Sequence, residues 1–253
     1  MDTTNLKQDL VTTMLDAGAY DVRIADPRKG FEHAHPDRHP RTLMPACRSV
    51  VVFALATSPE MNNTYVGSYS PNRQGNRMRG PLPSECRSDT HAMNRLSRLF
   101  QDMLYFVGSS FLYERGFQYQ CLGGIQMKVA AHEAGIGTWG KAGFILHPEL
   151  GNRISLGAIM TDAELSADTK REVHFCDTCN RCHQICPAQA YGEIDQYHGN
   201  WDRETCVTKR AEIAEKGYYC HNCFAGCPSS PLEDTAFLET KKTVSWWKRG
   251  TSS

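Results

Sequence analysis

The feature that most constrains this chain is a dense set of cysteines between residues 176 and 228. The first group has the spacing C-x2-C-x2-C-x3-C-P, which is typical of a bacterial 4Fe-4S ligand run. The second group is one separate cysteine followed by C-x2-C-x3-C-P. The first group comprises Cys176, Cys179, Cys182 and Cys186, and the second comprises Cys206, Cys220, Cys223 and Cys227. Together they predict two 4Fe-4S clusters.

The proline after each group predicts how the two groups share their ligands. In two-cluster proteins of this type, the cysteine before each proline ligates the other cluster. We therefore assign one cluster to Cys176, Cys179, Cys182 and Cys227, and the other to Cys186, Cys206, Cys220 and Cys223. A pair of zinc sites is the alternative, but zinc motifs usually come as separated C-x2-C pairs. A disulfide framework is typical of small secreted chains, and no secretory signal is recognisable here.

Charge and hydropathy argue against several classes of protein. The 28 Lys and Arg residues balance the 28 Asp and Glu residues, so no overall basic field favours nucleic acid. No apolar run approaches the roughly 20 residues that span a bilayer. We therefore expect a soluble cytoplasmic protein without a membrane partner, in which thiols stay reduced.

Apolar periodicity predicts the first elements of a front domain. Residues 6–15 have the spacing of an amphipathic helix that stops at Gly18. Residues 20–24 alternate as in a short strand, and residues 49–56 are apolar on both faces, as in a buried strand.

Two further elements are expected after them. A helix begins at Ser88 or Asp89, and we expect Gly108 to close it. Residues 144–146 and 154–160 are expected to form a hairpin across the turn between them.

A glycine-rich segment precedes that hairpin. A helix is expected to end at its first glycine. Glycines at a helix end let backbone amides approach a ligand closely, and a lysine offers charge to a phosphate or a corrin amide. The candidate cofactor contacts are therefore Gly135, Gly137, Gly140 and Lys141. A helix cap followed by a tight turn is the alternative.

Two segments leave alternatives open. Three histidines, at positions 33, 35 and 39, could bind a metal, but their irregular spacing favours a solvated loop. Residues 57–86 lack periodicity and could cover a cofactor, with Tyr65 and Tyr69 as stacking or acid groups, or form a surface loop.

The glycine segment and the cysteine groups together resemble the cobalamin-dependent superfamily of epoxyqueuosine reductases and reductive dehalogenases. The resemblance covers roughly Gly124 to Pro228 and keeps the same motif order. Its motifs are Ala134–Gly137, Gly140–Lys141, Gly151–Arg153 and Leu156–Asp162, followed by the two cysteine groups. It implies an α+β fold in which base-off cobalamin lies next to one cluster, while the other cluster relays electrons from a ferredoxin or flavodoxin.

The resemblance also implies the domain organisation. Residues 1–168 are expected to form a nitroreductase-like, corrin-binding domain, and residues 169–232 a two-cluster ferredoxin-like domain. Residues 233–253 are a tail whose paired tryptophans among cations could meet an acidic partner such as ferredoxin or pack back onto the domain.

The sequence departs from this superfamily in two places. The aspartate of an Asp-Ser-x-Pro stretch, catalytic in epoxyqueuosine reductases, has no counterpart, because the same offset falls on Cys121–Gly124. The chain ends soon after Pro228, where those enzymes continue into a helical-repeat region that helps to grip tRNA. We therefore expect a small-molecule substrate and do not expect tRNA as a partner. The proton donor stays open between Cys121 and a tyrosine of the 57–86 loop, and the oligomeric state is open.

These inferences predict an iron-sulfur oxidoreductase that passes single electrons through two clusters to a corrin cobalt, which reduces the substrate. The first alternative is a cobalamin-free electron-transfer protein or partner subunit. The second is a reductase that acts on the corrinoid of another protein.

Replacing any one of the eight predicted ligands with alanine is expected to lower the iron content of the reconstituted protein from about eight to about four atoms per chain. The reason is that a cubane cluster needs all four thiolates. Iron analysis after anaerobic reconstitution measures this, with Cys47→Ala as the control. Retention of eight irons in a variant would remove that residue from the ligand set.

Overall fold

The computed structural model describes residues 3–57, 84–121, 124–191, 202–215, 220, 222–225 and 227–229. The helices are α1 (Thr3–Asp16), α2 (Pro40–Leu43), α3 (Ser84–Glu114), α4 (Met127–Glu133), α5 (Arg181–Gln184), α6 (Arg203–Glu215) and α7 (Asn222–Ala225). The strands are β1 (Asp21–Ala25), β2 (Ser49–Ala56), β3 (Tyr119–Cys121), β4 (Thr138–Trp139), β5 (Ile145–Leu146) and β6 (Ile154–Thr161). A 3-10 turn covers Pro36–Arg38. The fold is therefore mixed α/β.

These residues form two compact units. The first contains residues 3–56, 97–121, 124–139 and 144–174. The second contains Thr57, residues 84–96 and 140–143, and the described residues from 175 onward. The first unit holds both sheets, and the second holds all eight clustered cysteines.

An antiparallel four-stranded sheet in the order β1-β2-β6-β3 organises the first unit. The predicted strand at residues 49–56 is confirmed as β2, and it lies in the middle of the sheet. Its alternate side chains enter two separate cores: Val50 and Val52 pack on one face, and Val51 and Phe53 on the other. A strand that is apolar at every position is what this placement requires, because neither face meets water.

The predicted hairpin between residues 144–146 and 154–160 is wrong. β5 pairs with β4, as Ile145 faces Trp139, and β6 pairs with β2 and β3 instead. The intervening turn exists, since His147 and Gly151 exchange backbone hydrogen bonds of 2.8 Å in both directions. The long apolar run of β6 gains more burial against β2 than a two-residue strand can offer.

Gly108 was expected to close a helix, but it lies inside α3, which continues to Glu114. A glycine inside a helix costs only about 1 kcal/mol relative to alanine. The missing side chain lets the helix approach the sheet, because a Cβ atom here would lie 2.6 Å from Cδ1 of Ile159 and 3.2 Å from Sδ of Met14.

A segment without regular structure, residues 163–174, connects β6 to the second unit and follows the outer edge of β1. Asp168 exchanges hydrogen bonds with the backbone of Ile24, at 2.8 Å from its amide and 2.8 Å to its carbonyl, and forms a 2.8 Å ion pair with Lys7. Arg23 donates to the carbonyl oxygens of Ala134 and Thr169. This connecting segment therefore satisfies polar groups that an edge strand otherwise leaves open.

Among the described helices, none has the length and apolar composition needed to cross a bilayer. The histidines at positions 35 and 39 each accept a backbone N–H through Nδ1 and cap the short helices that follow them. Their expected place in a loop is thus confirmed, and their rings have a local structural role.

Gly157→Ala is expected to destabilise the first unit by about 1–3 kcal/mol, the usual cost of overpacking a core. Gly157 faces Phe53 across the β2–β6 ladder, and a Cβ atom would lie 2.1 Å from that ring. Denaturant unfolding of the two proteins measures the difference.

Gly108→Ala is the matched control, because its Cβ would meet the flexible ends of side chains and the helix gains propensity. Gly108→Ala should lower the free energy of unfolding by clearly less than Gly157→Ala does. Equal free energies of unfolding for Gly157→Ala and the unchanged protein would contradict the packing argument.

Candidate functional site

The cysteines of the second unit lie in short, tight backbone turns. The amide of Cys179 donates to the carbonyl of Cys176 at 3.2 Å, and α5 then begins after Asn180 and carries Cys182, which is buried. Further along the chain, α6 carries Cys206 and α7 carries Cys223.

Cys227 lies near Cys176 and Cys182. Burial is the largest cause that raises the pKa of the Cys176 thiol, and the neighbouring charges of Cys227 and Cys179 raise it further. Burial likewise raises the pKa of Cys182 to about 11, with Cys176 and Cys227 among its neighbours. The structure thus brings Cys227 to the partners that the proline rule assigned to it.

The other four cysteines also come together. Burial raises the pKa of Cys206 to about 11, and Cys223, Cys220 and Cys186 add to the rise. Burial raises the pKa of Cys223, which again has Cys220 and Cys186 as neighbours. Cys182 of the first set also lies near Cys223, so the two sets adjoin within the unit.

Backbone amides point at several of these sulfur atoms. The amide of Lys141 lies 3.5 Å from Sγ of Cys176, and that of Ala190 lies 3.5 Å from Sγ of Cys186. The amides of His183 and Phe224 similarly bond the sulfurs of Cys182 and Cys223. Amides directed at thiolates lower the energy of a negatively charged sulfur, and hydrogen bonds to sulfur are one of the factors that set cluster potentials.

The donor set fits iron-sulfur clusters in its chemistry. All eight groups are thiols, and thiolates are the ligands of such clusters. Within the described part of the chain, no three Cys, His, Asp or Glu side chains form a ready metal-ion position. The assignment of individual ligands accordingly stays a prediction.

Lys141 has a contact that the sequence analysis did not include. Its Nζ donates to the carbonyl oxygen of Cys179 and to Oδ1 of Asn180, both at 3.0 Å. The neighbouring turn closes where the amide of Gly143 donates to the carbonyl of Gly140 at 2.8 Å. Lys141 thus fastens the first cysteine turn, and its suggested contact with a phosphate or a corrin stays a prediction.

Gly135 and Gly137 lie in the first unit, where the chain itself fills the space beside them. A Cβ atom on Gly135, whose φ is +77°, would lie 2.3 Å from the carbonyl oxygen of Thr169. A Cβ atom on Gly137 would lie 2.2 Å from the carbonyl oxygen of Leu146. Close backbone packing explains both glycines, and a role in binding a cofactor stays a prediction.

Two lone cysteines are packed as protonated thiols. Burial raises the pKa of Cys121 to about 11, and Cys121 packs at the margin of a core. Burial also raises the pKa of Cys47 to about 11, and its thiol donates to the carbonyl of Ser49. A thiol with such a pKa is almost entirely protonated at neutral pH and is a poor nucleophile.

Tyr191 and His183 belong to the site, and sequence reasoning missed both. Their rings stack, with centroids 4.8 Å apart and an interplanar angle of 13°. Burial is the largest cause that raises the pKa of Tyr191, and the neighbouring Cys223 raises it further. The only signal in the sequence was an aromatic residue soon after the Cys-Pro pair at 186–187, and no spacing rule connects such a residue to a sulfur.

Several predictions fall on residues outside the described ranges. They are the loop tyrosines at 65 and 69 and the tail after residue 232.

Comparison with known proteins was made against families, curated proteins and solved structures. No family model matches the chain. An epoxyqueuosine reductase of Gloeobacter violaceus is 28% identical over 156 residues, which cover 60% of this chain and 43% of that protein. A tetrachloroethene reductive dehalogenase of Sulfurospirillum multivorans is 25% identical over 196 residues, which cover 72% of this chain and 35% of that protein. The chain thus spans less than two thirds of these relatives.

Solved structures share the fold. An epoxyqueuosine reductase from Bacillus subtilis matches with a TM-score of 0.61 and 21% identity over 92% of this chain and 67% of that one. A reductive dehalogenase described with a B12-dependent mechanism matches with a TM-score of 0.63 and 17% identity over 95% of this chain and 34% of that one. At these identities the likeness concerns the fold.

The expectation that tRNA is not a partner is wrong. One structure with the same fold is an epoxyqueuosine reductase with an epoxyqueuosine-modified tRNA-Tyr stem loop, at a TM-score of 0.59 and 21% identity over 89% of this chain and 65% of that one. Relatives in sequence carry the name epoxyqueuosine reductase as well. Balanced overall charge does not exclude a local surface that contacts RNA.

Lys141→Met is expected to release iron from the reconstituted protein about tenfold faster under a chelator. The variant loses two hydrogen bonds that fasten the turn of Cys176–Asn180, and two such bonds together are worth about a factor of ten or more. Absorbance at the cluster bands after addition of chelator gives the rate. Lys29→Met, at an exposed lysine of the first unit, is the control. Equal rates for Lys141→Met and the unchanged protein would show that this lysine does not support the turn.

Proposed function

We infer, from the similarity of this chain to epoxyqueuosine reductases and reductive dehalogenases in sequence and in fold, that it is an iron-sulfur reductase dependent on cobalamin. In this proposal, the first unit is a nitroreductase-like body for the corrin. The second unit is a ferredoxin-like module for two 4Fe-4S clusters. A cytoplasmic location and a ferredoxin- or flavodoxin-type electron donor are parts of the same proposal.

The observation that carries the proposal is the grouping of the eight thiols. Cys227 of the second group is a neighbour of Cys176 and Cys182, and Cys186 of the first group is a neighbour of Cys206 and Cys223. These neighbours support the proposed exchange of ligands between the two groups. The residues that would hold the clusters are Cys176, Cys179, Cys182 and Cys227 for one, and Cys186, Cys206, Cys220 and Cys223 for the other. When bound, the clusters and the corrin would supply one-electron transfer and reduction at cobalt.

The chain's own residues prepare the sites for that chemistry. Thiols whose pKa is raised must lose protons when iron binds, so loading releases protons and is favoured at higher pH. Amides from Lys141 and Ala190 then stabilise the resulting thiolates. The Lys141 side chain holds the turn that orients Cys176 and Cys179.

The alternative is a cobalamin-free electron-transfer protein. The observation that favours it is the packing of Gly135 and Gly137, where backbone atoms of the chain occupy the space that a close ligand would need. A protein that reduces the corrinoid of another protein would also need no corrin site of its own beside Gly135 and Gly137.

The substrate follows from the relatives. We propose epoxyqueuosine in tRNA first, because relatives in both sequence and fold carry that activity in their names. An organohalide is the second candidate, since the tetrachloroethene reductive dehalogenase aligns with 72% of this chain. Because the chain spans only part of each relative, both substrates belong to the proposal.

Cob(II)alamin added anaerobically to the iron-reconstituted protein is expected to bind stoichiometrically and to show a base-off cobalt signal by electron paramagnetic resonance. Co-elution from a sizing column provides the stoichiometry. Clusters that still accept electrons while no corrin binds would contradict the cobalamin part and favour the electron-transfer alternative.

Activity assays of the protein loaded with clusters and cobalamin distinguish the two candidate substrates. With a strong chemical reductant, an epoxyqueuosine-modified tRNA stem loop is expected to yield the queuosine product, which mass spectrometry detects as the loss of one oxygen. A queuosine-modified stem loop is the control. Chloride release from tetrachloroethene with no change in the stem loop would replace the first substrate with the second.

A further inference from the structure

The helix α3 carries apolar side chains on two opposite faces. One face packs into a core of the first unit, where Leu104, Tyr105, Phe111 and Leu112 are at most 6% exposed. The residues of the other face are between 38% and 72% exposed. We call this second set the outer face of α3, and its members are Leu99, Phe100, Met103, Phe106 and Tyr113. A helix that is apolar all round is normally buried all round, so the outer face is expected to be covered.

The outer face has the spacing through which helices pack on one another. Leu99, Met103, Phe106, Ser110 and Tyr113 follow each other at intervals that alternate between four and three residues. This alternation keeps side chains along one line of a helix and is the pattern of a seam between two helices. The outer face therefore fits another helix as its cover.

The charge of this segment favours an apolar partner. From Leu99 to Tyr113 the sequence contains no lysine or arginine and a single acidic residue, Asp102. A surface that receives RNA or an acidic protein needs cations. Interfaces between two copies of one chain are, by contrast, more apolar than interfaces between different proteins.

The outer face is compatible with a second copy of itself. Phe106 lies in its middle, seven residues from Leu99 and seven from Tyr113. In a two-fold interface, the same surface of both copies meets. Two α3 helices that pack antiparallel at Phe106 bring Leu99 of one copy opposite Tyr113 of the other. They also bring the small Ser110 opposite the longer Met103.

The exposed area reaches what a dimer needs. An aromatic side chain can bury about 150–250 Å², and the three aromatic residues of the outer face are 52–72% exposed. With the two aliphatic residues included, two outer faces offer roughly 1,200 Å² of apolar surface. Stable interfaces bury about 1,200–2,000 Å² in total. The outer face alone thus reaches the lower end of that range.

We propose that the outer face of α3 is a homodimer interface, in which two copies of this chain pack their α3 helices antiparallel across a two-fold axis near Phe106. The interface lies in the first unit and contains none of the predicted cluster ligands. It goes beyond the proposed function, and its formation can be measured independently of any activity.

Sedimentation equilibrium of the full, iron-reconstituted chain tests the proposal. The unchanged protein is expected to have the mass of two chains at micromolar concentration. Phe106→Glu is expected to raise the dissociation constant about a hundredfold or more, because two carboxylates would be buried opposite each other at the axis. The mass of a single chain for the unchanged protein would overturn the inference, and so would a Phe106→Glu variant that dimerises equally well.

Ala46→Glu is the control for the added charge. Ala46 is exposed and precedes Cys47, which belongs to the core on the other face of the sheet. This variant is expected to dimerise like the unchanged protein. Its dissociation to single chains would show that added charge alone separates the copies, which would also overturn the inference.

A photo-crosslinker keeps the test decisive if Phe106→Glu does not fold. Incorporation of p-benzoylphenylalanine at position 106 retains an aromatic side chain there. Irradiation is expected to give a covalent dimer, and mass spectrometry of its peptides is expected to place the link within α3 of the second copy. Crosslinks confined to a single chain would show that another segment of the chain covers the outer face, and they would overturn the inference.

Discussion

Burial of β2 on both faces is the constraint on which the first unit depends. Val50 and Val52 enter one core while Val51 and Phe53 enter the other, so each core needs its own covering elements. On one side, α4 covers the sheet, and on the other side, α1 and α3 do so. The close approach of α3 at Gly108 and the ring of Phe53 over Gly157 both follow from the need to fill these two layers without voids.

The sequence predicted those parts of the structure that local covalent spacing determines. The bounds of β2 followed from an unbroken apolar run. The division of the cysteines into two ligand sets, drawn from the C-x2-C spacings and the prolines after them, stays a prediction. It failed where tertiary packing decides. β5 has only two residues, so its pairing with β4 depends on the surrounding backbone. Gly108 lies inside α3 because its lack of a side chain lets the helix pack closely against the sheet.

The site contacts that the sequence did not reveal share a physical cause. The Lys141 side chain donates to the carbonyl oxygen of Cys179, 38 residues further along the chain, and Tyr191 has Cys223, 32 residues further along, as a neighbour. No periodicity encodes contacts at such separations. The mistaken expectation about tRNA has another origin, because it was drawn from the point where the chain ends and from overall charge, which say little about any local surface.

The connecting segment, residues 163–174, restricts which positions of this protein tolerate substitution. It meets Gly135 through the carbonyl oxygen of Thr169, and it takes a hydrogen bond from Arg23 on the same atom. A backbone atom is present whatever the side chain, so position 169 can change freely while position 135 cannot. A substitution at position 169 therefore leaves this contact in place, whereas a side chain at position 135 would collide with the backbone of the segment.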